Sequence, residues 1–194
     1  MNNLMVILVY VLFTFTLQAQ EDKTIQTDIF KVVYSEEYQQ PIYVEYNIQC
    51  PNGTASRKGM NFHGVDNVST SDNDDYKNNV WDKGHMAPAA SFNCDEVTLR
   101  KTFSYLNCAL QHQGLNRGPW KELERYERRL AKENTLVTVY ITIHFNDEIG
   151  LLPTGARIPT GFTKVIIINN ETIIQFYFPN KDVAGIYWEE FKTN

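Results

Sequence analysis

Alternation near the C-terminus constrains this chain more than any other feature. From Leu136 to Phe145, Val137, Val139, Ile141 and Ile143 recur at every second position, the period of a strand with one buried face. Thr163–Ile168 and Thr172–Phe178 are further β-rich runs, and Asn169-Asn170 between them suits a tight hairpin turn. A looser alternation from Ile29 to Gln49, through Ile42, Val44 and Tyr46, reads as one or two strands. Residues 51–80 are polar and turn-rich, as in Pro51-Asn52-Gly53 and Ser69 to Asp75, and read as loop. Two helices are expected. A short one spans Asp95 to Thr102, capped by Asn93 or Asp95, and a long one spans Leu115 to Glu133. In the long helix Asn116 stands at the start, Pro119 lies in the first turn, and Trp120, Leu123 and Leu130 repeat at helical spacing. With 194 residues, no linker and no repeat period, this is one α+β domain with a mostly antiparallel central sheet and flanking helices. Charged residues at 21% and aromatics at 13% exclude a wholly disordered chain.

Leu4 to Leu17 is an apolar run of fourteen residues, interrupted only by Thr14 and Thr16. A membrane span needs about 20 residues. Leu17-Gln18-Ala19 supplies a small residue at a cleavage position, so residues 1–19 are expected to be a signal peptide and residues 20–194 the mature domain. The uncharged Asn2 and Asn3 are unusual for such a segment, and the competing reading is a buried N-terminal element. A secreted or periplasmic protein without stable membrane association is expected. Cys50, Cys94 and Cys108 allow at most one intramolecular disulfide, and the spacing leaves the pairing open. Cys108 and His112 without a CxxC do not make a zinc site.

Chemistry concentrates in Asp82-Lys83-Gly84-His85-Met86-Ala87-Pro88 and, thirty-one residues after His85, in Asn116-Arg117-Gly118-Pro119-Trp120 with Glu124. On a continuous helix, positions 116, 120, 124 and 127 fall on about one face, so an amide oxygen and a carboxylate could enter one pocket with Trp120 packed beneath. A capping Asn on an ordinary amphipathic helix would account for Asn116 equally well. There is no GxSxG, GxxxxGK[ST], HExxH or GxGxxG.

These residues resemble the DNA/RNA non-specific endonucleases, the ββα-metal or His-Me finger nucleases. Asp82 to Pro88 is similar to that family's Asp-Arg-Gly-His-x-Ala-Pro, Asn107-Cys108-Ala109-Leu110-Gln111 to its Asn-x-x-Pro-Gln, and Asn116 to Glu124 to its Asn-x-Gly-x-Trp-x-x-Leu-Glu. The resemblance covers about residues 40–180, and three motifs in order are more specific than any one. Lys83 departs from the usual Arg, giving a point charge in place of a fork, and Leu110 replaces the usual Pro.

The resemblance implies a metal-dependent endonuclease of DNA and/or RNA that leaves 5′-phosphate ends. In that reading His85 is the general base for water, and Asn116 is the one direct protein ligand of Mg2+, with Mn2+ as the alternative ion. Glu124 would hold water around the ion, while Lys83, Arg57 and Arg128 would meet the phosphate charge. Asn107 would orient the His85 loop, and Asp82 would support it. Two alternatives share the scaffold: a catalytically weakened nucleic-acid-binding protein, and a phosphodiesterase acting on short nucleotides. DNA versus RNA preference and oligomeric state stay open.

The formal net charge of −5 argues at first against a nucleic-acid partner. Locally it does not, because residues 100–132 hold eight basic residues against three acidic ones. A cationic strip at the long helix is enough to attract a phosphate backbone.

Overall fold

The computed structural model describes residues 22–146 and 150–193. The expected signal peptide, residues 1–19, lies outside the described residues. The elements in chain order are β1 (Lys23–Gln26), β2 (Lys31–Ser35), β3 (Gln40–Asn47), β4 (Trp81–His85), α1 (Glu96–Lys101), β5 (Cys108–His112), α2 (Gln113–Leu115), α3 (Lys121–Glu133), β6 (Val137–His144), β7 (Gly161–Ile168) and β8 (Thr172–Pro179).

Six strands form one antiparallel sheet in the order β1-β2-β3-β6-β7-β8, and β4 and β5 pair separately. The first half of the chain gives three strands to this sheet where one or two were expected. The additional one, β1, is a four-residue edge strand whose residues remain exposed or half-buried, so no apolar run announces it. In β6 the alternation is realised: Val137, Val139, Ile141 and Ile143 are buried while Thr142 faces solvent. The β7–β8 turn forms at the expected place. Asn169 and Asn170 take φ of 51° and 62°, and the Glu171 N–H donates to the Ile168 carbonyl at 3.0 Å. Asn tolerates the left-handed region better than most residues. The short helix starts where its cap predicts, with the Asp95 carboxylate accepting from the Thr98 N–H at 2.7 Å.

The long helix differs from expectation. It is broken between α2 and α3, where Asn116–Trp120 forms a wide turn and Gly118 sits at φ −101°, ψ −118°. Pro119 is the cause: its ring disfavours helical geometry in the residue before it, and it restarts a helix well because it needs no N–H partner. Asn116 is therefore placed by the break and not by the period of α3. From there α3 packs Leu123, Glu127 and Leu130 onto the sheet, and the buried Trp120 meets Phe162 and Phe178 at ring-centroid distances of 5.4 and 5.5 Å.

The structure resolves the cysteine pairing as Cys50–Cys94, with Cα atoms 5.3 Å apart, and leaves Cys108 buried and free. The Cys108 thiol is pushed up to about 12 by burial and lies 3.2 Å from the Tyr76 hydroxyl, which rules it out as a ready nucleophile or zinc thiolate. The bridge spans 44 residues, so it removes about 4 kcal/mol of chain entropy from the unfolded state. Reducing it is expected to lower the melting midpoint by about 8–15 °C. Thermal melts with and without a phosphine reductant check this, and an unchanged midpoint would show that the bridge does not close in solution.

Candidate active site

β4 and β5 pair antiparallel from Trp81↔His112 to His85↔Cys108, and residues of β4 and α3 line a cavity of about 540 Å³. Arg57 and Phe62 close it from the 51–80 loop. Close packing across the strand pair explains Gly84, where a Cβ would meet the Gln111 side chain at 2.5 Å.

The structure brings His85, Lys83, Asn116, Glu124, Arg57 and Arg128 to this one cavity. Asn107 is not among the lining residues. It is buried beside them, where its amide clasps the chain just past His85: Oδ1 accepts from the Ala87 N–H at 2.7 Å, and Nδ2 donates to the Ala87 and Thr102 carbonyls. Such a two-way clasp ties down the peptides on both sides of Ala87, two residues past His85.

His85 is wedged between Phe62 and Phe103, at 4.7 and 4.9 Å between ring centroids. Its Nε2 is buried and has no hydrogen-bond partner. Burial, with the Arg57 charge adding, pushes the imidazole down to about 3. This lies well below the ordinary imidazole value of 6.5, since both desolvation and a neighbouring cation disfavour the imidazolium. With its midpoint held that low, the His85 imidazole of the free protein is neutral around pH 7.

The sign of its pH effect follows. With the folded midpoint below the unfolded one, the His85 contribution to stability is fully present above about pH 6.5 and is lost as pH falls toward about 3. The His85 ring nitrogens are therefore expected to stay neutral from about pH 8 down to about pH 5. Side-chain nitrogen NMR of the free protein checks this, and a midpoint between 6 and 7 would contradict it.

Asp82 supports Asn116. Its carboxylate accepts from Asn116 Nδ2 at 2.9 Å and from Arg117 Nε and Nη2 at 2.8 and 2.6 Å. Burial works to raise this carboxyl, but the Arg117 and Asn116 hydrogen bonds outweigh it and hold it below the usual range. With its Nδ2 held by Asp82, the Asn116 amide keeps Oδ1 as its acceptor face. Among the described residues no group of three or more His, Cys, Asp or Glu could hold a metal ion. The donor set on offer is one amide oxygen with a carboxylate nearby, which fits a hard cation that keeps most of its own water.

Glu124 is partly buried, and burial pushes it up to about 7. Lys164, Arg128 and the Trp120 indole pull it down, while the Glu127 charge raises it. Arg128 also lines the cavity, and its buried Nη1 has no hydrogen-bond partner among the described residues. Lys83 is less free. Its ammonium donates to Asn73 Oδ1 and sits 5.4–5.7 Å from the rings of Phe62, Tyr76 and Tyr105, an aromatic cage that holds it at the cavity edge. Arg117, Lys121 and Arg125 add further positive charge to the walls.

Sequence reading missed the aromatic clamp on His85 and the Arg117–Asp82–Asn116 chain. Phe62 and Phe103 are ordinary apolar letters far from His85 in sequence, and nothing marks them. Asp82 and Arg117, by contrast, flank the two motif residues, and that symmetry was a usable signal.

Comparison with known proteins agrees with this geometry. The family model described as DNA/RNA non-specific endonuclease matches residues 11–194. Mitochondrial nuclease EXOG of Danio rerio is 31% identical over 105 residues, covering 52% of this chain and 31% of that protein. Mitochondrial endonuclease G of Bos taurus is 34% identical over 92 residues, 46% of this chain and 30% of that protein. A nuclease of Serratia marcescens is 34% identical over 102 residues, 50% of this chain and 38% of that protein. The chain thus matches about a third of the length of these relatives. Among solved structures, an EndoG/EndoGI complex contains a chain that superposes with a TM-score of 0.78 at 23% identity, covering 91% of this chain and 82% of that one, which establishes a shared fold.

Proposed function

The chain belongs to the DNA/RNA non-specific endonuclease family, and from that premise we propose that it is an exported, magnesium-dependent endonuclease cutting DNA and/or RNA with little sequence preference. The observation that carries this reading is His85 Nε2, buried without a partner at a cavity that also holds Asn116 and a ring of cationic side chains.

Arg57 and Arg128 bind a phosphodiester by its non-bridging oxygens, and Lys83 adds positive charge from the cavity edge. This sets the phosphorus beside His85. Nε2 takes a proton from water as the water oxygen bonds to phosphorus and the bond to the 3′-oxygen breaks. The products are a 5′-phosphate end and a 3′-hydroxyl, the latter protonated from solvent. An Asn116-bound Mg2+ would supply neutralisation of the pentacoordinate charge and of the leaving oxygen. Glu124 would accept hydrogen bonds from water around such a cation, and Asp82, by holding Asn116 Nδ2, would leave the amide oxygen available to it. The approaching phosphate also raises the proton affinity of His85, which burial and Arg57 hold down in the free protein.

Two observations support export: the Leu4–Leu17 run followed by Ala19, and the Cys50–Cys94 bridge, which belongs in an oxidising compartment. The deciding experiment is digestion of plasmid DNA and of RNA with Mg2+ or Mn2+, against EDTA. Cutting that EDTA abolishes is expected, and 5′-end labelling after phosphatase treatment should identify phosphate termini. No cutting of either polymer, or cutting that survives EDTA, overturns the reading.

A further inference from the structure

The loop that carries Arg57 to the cavity is fastened at both ends, and one fastening is covalent. On the entry side the Gln49 and Cys50 N–H groups donate to the Ser91 carbonyl at 3.2 and 3.0 Å, and Cys50 is bridged to Cys94. Asn93 adds two bonds beside the bridge. Its Nδ2 donates to the Gly53 carbonyl at 2.9 Å, and its own carbonyl accepts from the Ala55 N–H at 3.0 Å. On the exit side the His63 N–H donates to the Phe103 carbonyl at 2.9 Å, and the Tyr105 N–H to the His63 carbonyl at 3.0 Å. The entry anchor continues the cavity wall, since Pro88, Ala89 and Ala90 line the cavity just before Ser91.

Between these anchors, residues 56–62 bring Arg57 and Phe62 to the cavity. Ala55, Met60 and Phe62 pack against Ala89, Leu99 and Phe103, which seats the apolar side of the loop. Arg57 has no such seat. It is exposed, and its side chain makes no hydrogen bond or ion pair among the described residues. The bonds within the span are local, from the Lys58 N–H to Ser56 Oγ and from the Met60 N–H to the Arg57 carbonyl. The place of Arg57 over the cavity therefore depends on the anchors. Hydrogen bonds to exposed backbone exchange readily with water, whereas a disulfide opens only to a reductant.

We infer that Cys50 and Cys94 are positioning residues for the proposed cleavage: their disulfide holds the Arg57 loop against the cavity, and reducing it weakens substrate binding through Arg57. This rests on the functional reading above. Cys94 is exposed while Cys50 is buried, so a dithiol in solution attacks at Cys94. Its thiolate bonds to the Cys94 sulfur and the Cys50 sulfur leaves. The second thiol then displaces Cys94 and closes the reductant's own disulfide, so two electrons and two protons pass to the bridge. Cys108, buried and held near Tyr76, takes no part. The tether is closed in an oxidising compartment and open in a thiol-rich one, which links full activity to export.

The test is a cycle between the bridge and Arg57. Below both melting midpoints, kcat/KM on plasmid DNA is measured for the wild-type protein and for Arg57→Ala, each with and without dithiothreitol. Reduction is expected to lower the wild-type value by at least about fivefold, chiefly through KM. In Arg57→Ala the same treatment should change it by less than about twofold, because the group that the bridge positions is already gone. General loosening of the fold would weaken both proteins alike. Equal losses therefore overturn the inference, as does an unchanged wild-type rate. Trypsin reads the tether without any nuclease activity. Reduction should speed cleavage after Arg57 and Lys58 severalfold while sites in α3, such as Arg125 and Arg129, stay slow. Loop cleavage that does not change, or that rises equally with cleavage in α3, also overturns it. If the wild-type protein cuts no nucleic acid, the functional reading fails, and the trypsin result alone judges the tether.

Discussion

Replacing His85 with alanine is expected to lower kcat on plasmid DNA or RNA by about 10²–10⁴-fold with KM little changed. The Nε2 atom is a buried acceptor at the cavity with no partner among the described residues, and no second imidazole is among the described residues that line the cavity. Substrate contacts survive the change, because the cationic side chains around the cavity come from the loop, the wide turn and α3, apart from Lys83, which Asn73 holds independently of His85. The fold should survive as well. His85 contributes ring contacts to Phe62 and Phe103, and Asn107 still clasps Ala87. Steady-state rates, with melting midpoints as the control for folding, check this. Full activity in the alanine variant would remove His85 as the base.

Asn116→Ala is expected to raise the Mg2+ concentration for half-maximal activity by at least about tenfold, together with a large fall in kcat at saturating metal. In the proposed reading Asn116 supplies the one protein oxygen that would touch the ion directly, so its loss would leave a cation held by the substrate and water alone. Asp82→Asn tests the support beneath it. That substitution breaks the fork to Arg117 and frees the Asn116 amide to rotate, and a loss of about 10–100-fold in metal affinity or rate is expected, as for other groups that orient a ligand. Metal titrations of initial rate separate the two. An unchanged titration in Asn116→Ala would remove that residue from the ion, and a wild-type titration in Asp82→Asn would show that the amide holds its orientation unaided.

Much of the scaffold was legible because local physics wrote it. The period of two in β6, the left-handed tolerance of Asn169 and Asn170, and the Asp95 cap act within a few residues, and each appears where its letters place it. The break before α3 was legible in principle, since Pro119 restricts Gly118 whatever surrounds it, yet helical periodicity on either side concealed it. The edge strand β1 was not legible, because a strand that buries no residue leaves no alternation to read.

The candidate site divides in the same way. Covalent order alone settles which residue types are present and in what sequence: an imidazole after Gly84, an amide before Pro119, a carboxylate one turn into α3, and a basic stretch within an acidic chain. Those hold in any fold. What the groups can do waits on folding. Phe62 and Phe103 enclose His85 and, with Arg57 near, keep it neutral far below its ordinary midpoint. Asp82 fixes the Asn116 amide from a strand thirty-four residues away. Lys164, an ordinary basic letter among isoleucines and valines, becomes a buried charge paired with Glu127 under the Trp120 ring. Proton affinity and orientation depend on desolvation and on neighbours brought together by folding, and neither quantity exists until the chain has closed around the site.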